Sequence, residues 1–161
     1  KAPLNSVQHI HIFLKVIVAK HGDPKSKPFR CILAWELAAG QNNLKRVAQK
    51  YLVPRILSLS EVIARGIKAG ELECKNPTLA VYSMISQVVF YYMHRGTYEE
   101  TSIYKELYEN VEPRHLLQFL LQNFIAAYAT NRKIEWKLPA DIEKMADELA
   151  AKMSENPLLQ A

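Results

Sequence analysis

The chain has 161 residues, 49% of them hydrophobic and 23% charged, which suits one globular domain with its own core and excludes a disordered tail or a collagen-like repeat. Its 21 Lys and Arg outnumber 16 Asp and Glu, giving a net charge of +5. The excess is lopsided: residues 1–75 hold 13 basic and 5 acidic side chains (+8), residues 76–161 hold 8 and 11 (−3), a pattern that speaks to association rather than to fold.

In chain order, residues 4–21 set Val7, Ile10, Leu14, Ile17, Val18 and His21 at helical spacing and stop at the turn Gly22-Asp23-Pro24. A basic loop, Lys25-Ser26-Lys27-Pro28, leads to a second helix over 29–39, with Ile32, Leu33, Trp35 and Leu37 apolar and Gly40 as its C-terminal cap. The third helix, 44–69, is long and carries Pro54, which should kink or divide it. Gly70 ends it, Asn76 caps the next helix, and Pro77 takes that helix's first position.

The fourth helix, 77–95, is apolar nearly all round, through Leu79, Val81, Met84, Ile85, Val88, Val89, Phe90 and Met93. After an acidic, tyrosine-bearing stretch, 96–112, a fifth helix over 113–130 repeats the pattern with Leu116, Leu117, Phe119, Leu120, Leu121, Phe124 and Ile125. Each needs partners on two sides, which predicts a partner chain or a large ligand. A last, accessory helix over 140–153 has Ile142, Met145, Leu149 and Met153 as one narrow stripe. The expected fold is all-α, a single unit over 1–161 with a core at 1–130 and an accessory helix at 131–161.

Cys31 and Cys74 form no close-spaced pair, so neither a disulfide framework nor a zinc knuckle is supported, and a reducing cytoplasm is the simplest setting. His9 and His11 sit two apart, on opposite sides of a helix, and cannot share a metal. His94 and His115 read as capping or interface residues. No phosphate loop, nucleophile elbow or His-Glu-x-x-His occurs. The expectation is therefore a protein without cofactor, metal or catalytic role, and with no membrane span. The beginning Lys-Ala-Pro lacks both an initiator Met and a signal region, and reads as part of a longer polypeptide.

The run Ile63-x-x-Gly66-x-x-x-Gly70-Glu71-Leu72, followed by Asn76-Pro77 and a wide apolar helix, resembles the end of the long helix in the effector domain of TetR-like transcriptional regulators. A first helix, a shorter one holding Trp35-Glu36-Leu37, a long kinked helix and two greasy helices extend the resemblance over about residues 4–130. It implies an effector-binding and homodimerisation domain standing without its helix-turn-helix, through which alone DNA would be bound. It also implies a four-helix dimer interface, expected on the outward faces of the fourth and fifth helices at Val81, Ile85, Val89, Tyr92, Leu116, Phe119, Leu120, Asn123 and Phe124. A small, mostly hydrophobic effector would lie among Phe13, Ile17, Trp35, Leu59, Ile63, Met84 and Tyr91, oriented by Tyr91 or Glu36. The competing expectation is a helical protein–protein interaction module with a solid interior.

Overall fold

A computed structural model describes residues 3–39 and 42–155. Its helices are α1 (Ser6–Gly22), α2 (Lys27–Ala38), α3 (Asn42–Val47), α4 (Val53–Lys68), α5 (Pro77–Met93), α6 (Pro113–Tyr128) and α7 (Ala140–Glu155). The protein is all-α. Among the described residues no helix is long and apolar enough to cross a membrane. Gly40, expected to cap α2, lies outside the described residues.

α1 is the axis of the fold and packs against α4, α5, α6 and α7. Val7, Ile10, Leu14 and Val18 are buried along it and meet Ile63 of α4, Val81, Met84 and Val88 of α5, and Leu120, Leu121 and Phe124 of α6. Its N-terminus is closed by a capping box: Asn5 accepts from the Gln8 N–H at 2.9 Å, and the Gln8 side chain accepts from the Asn5 N–H at 3.0 Å. Glu71 accepts the next orphan donor, the Ser6 N–H, at 2.8 Å.

The long third helix foreseen over 44–69 is two helices, α3 and α4, joined by a π-helical turn at Ala48–Leu52. The irregularity precedes Pro54 because Pro54 lies in the first turn of α4, where its missing N–H breaks no helical bond. The far end of α4 is a Schellman cap: Gly70, at φ +74°, donates to the Ile67 carbonyl and Glu71 donates to that of Gly66. Leu72, just beyond, is buried. Asn76 then caps α5 through the Leu79 N–H at 3.0 Å, with Pro77 at its first position.

Gly66 brings α4 against α1, since a Cβ there would stand 2.5 Å from Ser6 Oγ and 2.8 Å from Leu72 Cδ1. An isolated antiparallel bridge, Leu72 with Ala129, ties the α4–α5 link to the end of α6.

The C-terminal tail is bound more closely than an accessory helix requires. Backbone carbonyls of Glu135, Trp136 and Lys137 bond the side chains of Asn5, His11 and Gln8. Lys15 reaches Asp147 at 2.8 Å and Glu143 at 3.2 Å. Burial pulls its ammonium pKa down, and these carboxylates outweigh that, leaving it raised. The stripe foreseen on α7 is corrected. Ala146 and Ala150 are the buried residues, while Met145 and Leu149 are exposed, because small side chains let α7 lie close on α1.

Candidate functional site

The apolar perimeters of α5 and α6 resolve into an inward and an outward side. Inward lie Val81, Tyr92, Leu116, Leu120 and Phe124, all buried within the chain. They therefore belong to its own core, not to the outward faces where the sequence put them. Ile85 and Val89 are half-buried, and Phe119 and Asn123 are exposed. Outward on α5 are Leu79, Tyr82, Ser83, Gln87 and Phe90, the last 62% exposed. Phe119, 59% exposed, stands on α6 with Gln122 and Asn123. The signal missed in the sequence was the polar residue: Ser83, Gln87 and Gln122, together with Asn123, which the sequence did place outward, mark the phase of the outer side, which apolar residues on an all-round apolar helix do not.

The residues foreseen around an effector do not converge on one cavity. Ile63 and Met84 are buried in the core, with Phe13, Ile17 and Leu59 packed half-buried against it. Trp35 is 66% exposed next to exposed Ile32, because α2 lies at the edge of the bundle, touching chiefly α3 and α5. Glu36, by contrast, is buried. Tyr91 donates its hydroxyl to the Leu107 carbonyl, and Tyr108 donates back to the Tyr91 carbonyl at 3.0 Å. The Tyr91 and Tyr108 rings lie 4.8 Å apart, with Tyr104 5.5 Å from Tyr108. Tyr91 thus fastens the 95–110 segment onto α5.

An open groove of about 400 Å³ lies between α4 and the start of α5, lined by Val53, Ile56, Leu57, Asn76, Thr78, Leu79 and Tyr82. It shares Leu79 and Tyr82 with the outer side of α5. No family model, curated protein or solved structure matches the chain. The TetR-like reading therefore rests on the residues themselves.

A second polar locus sits where α1 ends. Lys20 and His21 are buried there, and Ser26 Oγ donates to the Lys20 carbonyl at 2.7 Å. Arg30 of α2 donates from Nη1 to the carbonyls of His21 at 2.6 Å and Asp23 at 3.3 Å, capping the helix with a cation where its dipole is negative. Burial, then the charges of Lys20 and Arg30, push the His21 imidazole down to about 4. Burial also lowers Lys20, with Arg55 adding to it. Tyr92, buried and beside Tyr91, is pushed up to about 12, so its hydroxyl is a donor at any ordinary pH.

The remaining histidines serve backbone carbonyls: His9 that of Asn5, His11 that of Trp136, and His94 that of Phe90, His94 also being the C-cap of α5. His115 is exposed. Among the described residues, no group of three His, Cys, Asp or Glu is placed to hold a metal ion.

Proposed function

We propose that this chain is the effector-sensing and homodimerising domain of a TetR-like transcriptional regulator, acting on DNA through a helix-turn-helix outside this sequence. The observation that carries the reading is the outer side of α5 and α6, where Leu79, Tyr82, Phe90 and Phe119 stand exposed. Aromatic side chains presented this way are characteristic interface anchors. A second copy is the natural occupant, since a two-fold axis sets the same two helices against themselves and yields a four-helix interface. The Schellman turn at Gly70 and the Asn76-Pro77 restart add the features on which the resemblance rests. A small, mostly hydrophobic effector would act by favouring one spacing of the two DNA readers energetically.

Light-scattering mass tests the interface. The wild-type chain is expected as a dimer, and Phe119→Asp should weaken it about thirtyfold or more while leaving helicity intact. An unchanged dimer would reject this face. Thermal unfolding against a panel of apolar and amphipathic metabolites tests the sensor, because a ligand of the folded state raises the midpoint by mass action.

One observation favours the runner-up, a ligand-free helical interaction module: Leu14, Ile63, Met84 and Val88, from three helices, are packed together as one core. On that reading the outer faces bind a different protein, and no compound moves the midpoint.

A further inference from the structure

Along its outer side α5 carries a pattern with a symmetry of its own. Leu79, Ser83, Ser86 and Phe90 follow one another at steps of four, three and four residues, which sets them in one line on the helix. The line runs opposite the buried Val81, Met84, Val88 and Tyr92. In size the order is large, small, small, large, and it reads the same from either end. An antiparallel pair of identical helices requires such an order, because a two-fold axis across the helix sets each position against its counterpart counted from the other end. An axis midway between Ser83 and Ser86 sets these serines against each other and brings Phe90 of one copy against Leu79 of the other.

The chemistry of the face suits that pairing. α5 has no charged side chain, so two copies approach without repulsion, and antiparallel helix dipoles attract. Serines at the crossing let the axes come to the short end of the usual range of about 8–10 Å. Phe90 is 62% exposed, and its ring centroid lies 3.7 Å from that of His94, whose Nδ1 bonds the Phe90 carbonyl at 3.0 Å. A ring already held in place loses little freedom on binding.

Leu79, the residue that Phe90 would meet, is also a wall of the groove of about 400 Å³ between α4 and α5, which Val53, Leu57 and Tyr82 help to line. Area argues for using it. Tyr82, Phe90 and Phe119 are each about three-fifths exposed and present about 100–150 Å² apiece, so they supply roughly half of the 800 Å² that each partner buries in a stable interface. Leu57 and Val53, 52% and 43% exposed, continue the apolar surface across the groove onto α4.

We propose that α5 pairs antiparallel with α5 of a second copy about a two-fold axis between Ser83 and Ser86, each copy setting its Phe90 into the other's α4–α5 groove against Leu79. The inference rests on the homodimer reading and fixes its register and its reach.

Sedimentation equilibrium on the full chain tests it, with circular dichroism as the check of folding. Leu79→Lys and Phe90→Asp should each weaken the dimer about thirtyfold or more. Combined in one chain, they should dimerise at least about tenfold more tightly than the two losses together predict, because the introduced ammonium and carboxylate meet across the axis twice. Within one chain the two positions are eleven residues apart, about 16 Å along the helix, too far to pair. Leu57→Asp should weaken the dimer about tenfold, although Leu57 stands on α4 and outside any interface made by α5 and α6 alone.

Strictly additive losses in the double variant would overturn the register and leave the homodimer standing. Indifference of the dimer to Leu57→Asp would overturn the groove as part of the interface. A wild-type chain that is monomeric at every concentration would take down the homodimer reading and this one together.

Discussion

At its N-terminal end α1 is held by neutral and acidic partners, and at its C-terminal end by the guanidinium of Arg30. The first end satisfies its orphan donors with Asn5, Gln8 and Glu71, and laces its side chains to carbonyls at 135–137. The second caps its carbonyls with Arg30 yet buries His21 with an open nitrogen. Evenly satisfied polar groups add stability and little else. An end that buries an unbonded imidazole nitrogen has given up some of that stability.

The difference is sharpened most by overfilling the tight end. Gly66→Val places new atoms where a Cβ alone already stands 2.7 Å from Ser6 Cβ, and should cost about 3 kcal/mol in urea unfolding, as α1 and α4 are forced apart. Acidification probes the other end. The unfolded chain protonates His21 near 6.5 and the folded protein only near 4, so as pH falls the unfolded state binds the proton first. Stability from this group is whole above about pH 6.5 and declines by up to about 3 kcal/mol as pH approaches 4. Urea melts across that window, compared with those of His21→Gln, measure it; an equal decline in the variant would remove His21 as the cause.

The smallest effect is expected at the loose end's own glycine. Gly22→Ala meets the tip of the Tyr92 side chain at 2.9 Å, an atom that can give way. The gain in helix propensity offsets the contact, leaving a net change below about 1 kcal/mol. A loss as large as that from Gly66→Val would mean that the two ends are equally rigid.

Much of the fold was legible because helix ends carry explicit chemistry. Gly22-Asp23-Pro24, Gly70, Asn76-Pro77 and Pro113 each limit a backbone conformation or supply a cap, and each stands at an element boundary. The orientation of α5 and α6 was harder to read. With Val81, Met84, Ile85, Val88 and Val89 spread around one helix, apolarity alone sets no phase, and a one-residue error turns a face by about 100°. Leu79, Tyr82 and Phe90 could be recognised as outward only by the Ser and Gln that share their side.

Around the predicted effector the difficulty was of another kind. Trp35 and Tyr91 are large and aromatic, as a pocket wall requires, but their positions depend on α2 lying at an edge and on the 95–110 segment folding back over α5. Arg30 and Tyr92 meet the end of α1 from α2 and α5, and no local motif announces that meeting.

The lacing of α1 to the tail also sets an order of events during synthesis. Asn5, Gln8 and His11 bond carbonyls 125 to 130 residues downstream, and Lys15 waits for Glu143, 128 residues away. At translation rates of about 5–20 residues per second, α1 emerges roughly 6–25 s before its last partners exist. Val7, Ile10 and Leu14 meet Ile63 of α4 first and Leu120, Leu121 and Phe124 of α6 later, so the first-made helix of this domain gains its native cover in stages.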